Sequence, residues 1–194
     1  IGRRANRRHE KGGFFFESDL KDQQVKARNY NFNRPFGIPV RYHDYEKLSS
    51  KSNLDFVEFH LSYQDMELNL SDFFDGPQDI GFAVHSPELF SGDHIIDLAS
   101  QDDEHWSRSI NELQRVCDIT RELKHYFPKT ARPVIVLNAG GFKSTGFVPK
   151  KDRPAMYEKI AEAIGKVDQE GVEIIIQTMP PFPWHFGGQS YHNL

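Results

Sequence analysis

The sequence predicts an α/β chain built on a parallel sheet, of either the open doubly wound type or the (β/α) barrel type. Three observations predict it. Five apolar runs alternate with helix-patterned stretches from about residue 36 onward. The last two runs, Pro133–Leu137 and Val172–Ile176, are nearly unbroken and rich in β-branched residues, as in strands buried on both faces. Every run finishes in a polar or titratable side chain, and α/β folds place their sites at the carboxyl ends of their strands.

The elements follow in order. Residues 1–35 form a basic arm and a short β-containing segment. Arg3, Arg4, Arg7, Arg8 and Lys11 face only Glu10 over residues 1–12, whereas the whole chain carries −4. Phe14–Phe16 is one strand, too little for a domain of its own. Regular patterning begins with the strand Phe36–His43, in which Pro39 lacks a ladder donor, and a short helix covers residues 44–50. Leu54–Leu61 is a stronger strand. Residues 63–74 are irregularly helical and close on the turn Asp75-Gly76-Pro77, and Ile80–His85 is the third strand. The longest helix spans Asp102–Phe127, with Trp106, Ile110, Leu113, Val116, Cys117, Thr120 and Leu123 at steps of three and four. Ser100 or Asp102 caps it, and Asp103 and Glu104 suit the positive end of its dipole. A last helix starts at Asp152-Arg153-Pro154 and runs through Met156, Ile160, Ala163, Ile164 and Val167 to stop at Gly171, before the fifth strand.

Composition narrows the function classes. The 194 residues are 38% hydrophobic and 27% charged, and no stretch approaches the roughly 18 apolar residues of a membrane span. The single Cys117 forms no internal disulfide and reads as packing on a helix stripe. The net charge of −4 argues against a nucleic-acid partner. The expectation is a soluble, cytoplasmic protein.

The strand ends carry the chemistry. The first ends at Arg41 and His43, the second at Glu58, His60 and Ser62, each set on one face of its strand. The third ends at His85-Ser86-Pro87-Glu88, the fourth at Asn138-Ala139-Gly140-Gly141 and the fifth at Gln177. His85 is the strongest catalytic candidate, because Pro87 stiffens its loop and Glu88 adds a carboxylate; Glu58 and Glu88 are its candidate partners. Arg41, His60, Asn138 and Gln177 are candidate substrate contacts. Each also has a structural reading: His43 and His60 suit core histidines equally well, Arg41 is expected to pair with an interior carboxylate such as Glu58, and Asn138 suits a tight turn. Gly140–Gly146 with Lys143 is either an anion-cradling loop or an ordinary surface loop, and it matches neither a P-loop nor a dinucleotide fingerprint. Residues 180–192 are aromatic and rich in proline at their start; Trp184 suits stacking on a sugar face or covering a barrel mouth.

Three passages resemble the xylose-isomerase-like barrel superfamily, which includes sugar-phosphate isomerases, epimerases and endonuclease IV. Ala83-Val-His-Ser-Pro87 with Ile96-Asp-Leu-Ala-Ser100 is similar to the family's third-strand histidine and the motif before a long helix. Leu137-Asn-Ala-Gly140 stands at its fourth-strand His-Pro-Gly, and Ile176-Gln-Thr-Met-Pro180 at its fifth-strand Glu-Asn-Thr. Leu54–Asp65 and the His85 and Gln177 passages look like barrels attached to the carboxyl end of sialic-acid-type synthases. Arg7–Leu20 and Arg34–Pro39 resemble a degenerate antifreeze-like domain of such synthases.

The resemblance implies a TIM-type barrel over residues 36–194, incomplete at about five βα units, because a closed one takes about 250 residues. It implies a sugar or sugar-phosphate ligand and an isomerising domain in sialic-acid-type or surface-polysaccharide synthesis. The alternatives are a non-catalytic accessory domain of such a synthase and, against the net charge, an endonuclease IV-like enzyme. The remainder of a longer polypeptide or a synthase domain is the implied partner. The family also implies a divalent metal (Mn, Mg or Zn) with His85 as a ligand. Asn138 and Gln177 stand where it has histidine and glutamate, which removes two ligands but keeps amides suited to sugar hydroxyls.

Overall fold

The computed structural model describes residues 33–179, the strand segments Arg4–Ala5, Leu20–Lys21, Trp184–Phe186 and Gln189–Tyr191, and His192. The chain divides into two units, Ile1–Asn33 and Arg34–Leu194. In the first, Arg4–Ala5 pairs antiparallel with Leu20–Lys21; the strand expected at Phe14–Phe16 lies outside the described residues.

The second unit is built on five parallel strands, β1 (Gly37–Val40), β2 (Phe56–His60), β3 (Gly81–His85), β4 (Val134–Leu137) and β5 (Glu173–Ile176), hydrogen-bonded in chain order. That order decides between the two architectures. A doubly wound sheet reverses direction at a switch point, whereas this one advances one strand at a time, as an arc of a barrel does. The register places Val57 beside Phe82, His60 beside His85, Val84 beside Ile135 and Leu137 beside Ile176.

The helices α1 (Tyr45–Ser49), α2 (Asp103–Tyr126) and α3 (Arg153–Gly165) join strands. α2 starts where the sequence predicts, because the Asp102 carboxylate accepts the His105 N–H at 2.7 Å. Its buried stripe, Leu113, Val116, Cys117, Thr120 and Leu123, packs against the sheet. Cys117 is fully buried, and burial pushes its thiol up to about 11, consistent with packing. Two expectations change. α3 ends at Gly165, not Gly171; Val167 is buried just beyond it, and Gly171 at φ 75° turns the chain into β5. β5 is not fully buried: Ile175 and Ile176 are 43% and 53% exposed, because among the described residues β5 pairs only with β4.

The stretch 63–74 folds as two 3₁₀ turns, Asp65–Glu67 and Leu70–Asp72. A short hairpin, Leu89–Phe90 with His94–Ile95, is not apparent from the sequence pattern; positive φ at Gly92 and Asp93 lets it close.

Aromatic rings fill the core. Phe59 is fully buried, with Tyr42, Tyr45, Phe74, Phe82 and Phe127 at ring-centroid distances of 5.2–6.3 Å. Among the described residues the buried Tyr42 hydroxyl has no hydrogen-bond partner. Burial, then the Asp65 and Glu122 carboxylates, push its ionisation well above the usual phenol range. An unpaired buried hydroxyl costs desolvation without return. Tyr42→Phe is therefore expected to leave stability unchanged or raise it by up to about 1 kcal/mol, read as an equal or higher denaturant midpoint; a clear drop would show that the hydroxyl has a partner.

Candidate functional site

The strand-end residues come together because the five strands are parallel and in close register. At the end of β1, Arg41 donates from Nη1 to Asp65 Oδ2 at 2.5 Å. The expected partner Glu58 is replaced by a residue from the loop after β2. Asp65 is held there by a reciprocal box: Ser62 donates its N–H and hydroxyl to Asp65 Oδ2 at 2.7 and 2.8 Å, and the Asp65 N–H reaches Ser62 Oγ at 3.3 Å. Burial opposes ionisation of Asp65, but the Ser62 donors and the Arg41 guanidinium outweigh it and hold its carboxyl below the usual range. His43 is exposed on the 3₁₀ turn Tyr42–Asp44 and does not line the site.

Glu58 and His60 lie on one face of β2. Glu58 Oε1 is 3.8 Å from His60 Nδ1, too far for a hydrogen bond. The register pairing of His60 with His85 stacks their rings, with centroids 4.3 Å apart and planes 7° from parallel. The two differ in environment. The His60 side chain is 50% exposed, and among the described residues no protein group hydrogen-bonds its ring. His85 is buried and engaged at both nitrogens, Nδ1 at 3.0 Å from the Ser86 carbonyl oxygen and Nε2 at 2.8 Å from Gln177 Oε1. Both partners are oxygens, so the ring donates to each from whichever nitrogen carries a proton, and the Ser86 carbonyl and Gln177 Oε1 accept. Burial, then His85 and Arg41, hold His60 below the ordinary imidazole range against the pull of Glu58 and Glu88.

Asn138 is buried at the end of β4 and ties three loops together. Its Nδ2 donates to Glu88 Oε1 at 3.0 Å and approaches Met179 Sδ at 3.0 Å, and its Oδ1 is 3.5 Å from the Gly140 N–H. The glycine loop that follows has its anion built in. Asp97 Oδ1 accepts the Gly141 N–H at 2.8 Å and the Ala99 N–H at 2.9 Å. Gly140, at φ 93°, packs so closely on Asp97 that a Cβ there would collide with it. Burial raises the Asp97 carboxyl above the usual range. Lys143 is exposed, pairs through its backbone with His192, and lines neither strand-end cavity. Trp184 belongs to the ribbon Trp184–Phe186/Gln189–Tyr191, but its side chain lies outside the described residues.

Two cavities open at the strand ends. One of about 460 Å³ is lined by Arg41, His60, His85 and Glu88, with Ser62 and Tyr63 completing its wall. A larger one of about 720 Å³ lies against α3 and β5 and is mostly apolar, with Tyr157, Ile160, Ile164 and Ile176. Gln177 and Met179 border both, while Asn138 reaches only the larger. Chemistry assigns the site to the smaller cavity, where the titratable groups converge.

Sequence reasoning missed Asp65, Asp97 and Met179. Asp65 had a signal, the Ser62-x-x-Asp65 spacing of a capping box. The contacts of Asp97 with Gly141 and of Met179 with Asn138 had none, since they span 44 and 41 residues of the chain.

An arc of parallel βα units with a polar cavity at its strand ends defines a TIM-type barrel domain with a strand-end site. Residues 47–194 match the model of the xylose isomerase-like TIM barrel family, and the chain belongs to that family. A crystal structure of a D-tagatose 3-epimerase-like protein is similar at 16% identity with a TM-score of 0.51, covering 77% of this chain and 54% of that one. The chain thus spans about half the length of that protein. No curated protein matches the sequence.

The family implies a divalent metal, and the donors at these strand ends do not form a set for one. Both His85 nitrogens are engaged, Glu88 is held by Asn138, and Asn138 and Gln177 offer amides. Among the described residues no three His, Cys, Asp or Glu side chains group to hold an ion. No helix among the described residues is long and apolar enough to cross a membrane.

Proposed function

We propose that the cavity at the ends of β1, β2 and β3 binds a sugar or sugar phosphate, and that the domain isomerises or epimerises it. The observation that carries this reading is the convergence of Arg41, His60, His85, Glu88 and Gln177 on one open cavity of about 460 Å³, a size suited to a small polar ligand. Family membership and the D-tagatose 3-epimerase-like neighbour support the ligand class. Gln177 and Arg41 supply fixed donors for hydroxyl or carbonyl oxygens, and the histidine pair with the Glu88 carboxylate supplies groups that take and return protons. The passages at Leu54–Asp65, His85 and Gln177 support a place in cytoplasmic synthesis of sialic-acid-type or surface-polysaccharide sugars, beside a synthase domain. Proton transfer next to a carbonyl needs a base at the carbon and a donor at the oxygen, and this cavity holds both kinds of group.

Binding tests the reading. D-tagatose, D-fructose and D-fructose 6-phosphate, titrated by calorimetry, are expected to include at least one ligand whose affinity falls 10-fold or more in His85→Ala. If none of the three binds the unmodified protein, the reading is wrong.

A further inference from the structure

We infer that His60, rather than His85 or Glu58, is the base that takes the carbon-bound proton of an open-chain α-hydroxy-carbonyl sugar in this cavity. The inference rests on the proposed isomerase reading. Its ground is which proton acceptor is open to the cavity. His85 is buried, with one nitrogen on the Ser86 carbonyl and the other on Gln177. Glu88 lines the cavity but is tied through Oε1 to the Asn138 amide at the end of β4, and Glu58 does not line the cavity. His60 lines it, its ring is half exposed, and among the described residues no protein group hydrogen-bonds it.

The surroundings favour the basic form of this ring. Burial, then His85 on β3 and Arg41 at the end of β1, disfavour its protonation, and Glu58 on β2 and Glu88 after β3 favour it, so the balance is a lowered pKa. Asp65 neutralises Arg41 from the loop after β2. His85, pinned by Ser86 and Gln177, serves as the plate on which His60 is stacked.

The step balances in protons and electrons. The His60 lone pair takes the proton on the carbon beside the carbonyl. The C–H electron pair becomes the enediol double bond, and the carbonyl π pair moves to its oxygen, which takes a proton from water in the open cavity. The imidazolium then returns its proton to the former carbonyl carbon, while the neighbouring hydroxyl gives its own proton to water and becomes the new carbonyl. One base on one face thus interconverts ketose and aldose.

Deuterium exchange tests it. The protein is incubated in D₂O with D-fructose, D-tagatose or D-fructose 6-phosphate, and deuterium at the carbon next to the carbonyl is followed by NMR from about pH 5 to 8.5. Wild type is expected to exchange, with a rate that falls on the acid side along the titration of His60 observed directly by histidine-selective NMR. His60→Gln is expected to slow exchange about 100-fold or more, the range of a lost general base. Glu58→Gln is expected to keep exchange and move its acid limb to lower pH. Exchange surviving in His60→Gln, lost at every pH in Glu58→Gln, or with an acid limb that does not follow His60 overturns the assignment while leaving the isomerase reading in place. No exchange in wild type with any of the three sugars overturns the isomerase reading, and the assignment with it.

Discussion

Phe59→Ala is expected to destabilise the domain by about 3–5 kcal/mol, the range for deleting a buried aromatic ring. Phe59 sits on β2 one residue before His60, fully buried, and its ring meets Phe74 and Phe127 edge-on at 5.8 and 5.2 Å. It also contacts Tyr42, Tyr45 and Phe82, so a single side chain links β2 and β3 to the turn and helix after β1 and to the end of α2. Alanine removes the transfer free energy of the ring and leaves a void that five aromatic neighbours cannot close without leaving their rotamers. Single domains are stable by only about 5–15 kcal/mol, so the loss is a large share of the total. It is read as a fall of about 6–20 °C in Tm, at roughly 2–4 °C per kcal/mol for a chain of this size. Phe59→Leu, which keeps most of the volume, is expected to cost far less. Equal losses in the two variants would mean that the ring is not packed as described.

Acid is expected to weaken the fold through His94. This histidine is buried on the second strand of the hairpin, its ring centroid 4.3 Å from that of His105. Its tautomer follows from its partner. The Ser109 hydroxyl donates to the His105 carbonyl and accepts the Asp97 N–H, so His94 Nε2–H must donate to it, at 3.1 Å. Burial, then the nearby His105 and Arg108, depress the His94 pKa from 6.5 to about 4. The unfolded chain therefore binds this proton more readily than the native one. The contribution is complete above pH 6.5 and is lost as pH falls from 6.5 toward 4, up to about 3 kcal/mol in all. Asp65, with its lowered pKa, adds to the loss only below its ordinary value of 3.8; Asp97, raised by burial, acts in the opposite direction. Urea midpoints at pH 7.5, 5.5 and 4.5 measure the slope, and His94→Gln is expected to flatten it. An equal slope in that variant would assign the acid sensitivity to other groups.

Much of the architecture was legible in the sequence. The five strands, the long helix and its Asp102 cap follow from periods of two and 3.6 residues and from one capping side chain, all of them local. The strand-end rule brought Arg41, His60, His85 and Gln177 to one cavity, because in parallel strands the last polar residue of each run sits at the same end of the sheet. The extent of α3 was not legible, since Val167 continues the apolar stripe after the helix has ended at Gly165. Nor was the exposed face of β5, because a strand's composition does not show how many neighbours it has.

The sequence by itself determined a parallel α/β chain with polar side chains gathered at its strand ends. Only the tertiary structure decided which of those side chains are free to act. Arg41 is claimed by Asp65 across 24 residues, Gly141 by Asp97 across 44, Glu88 by Asn138 across 50, and His85 by Gln177 across 92. His60 remains open to the cavity. The physical reason is one of range: side-chain periodicity repeats within a few residues and is carried by composition, whereas a hydrogen bond forms within about 3 Å, between groups whose separation along the chain no local pattern encodes.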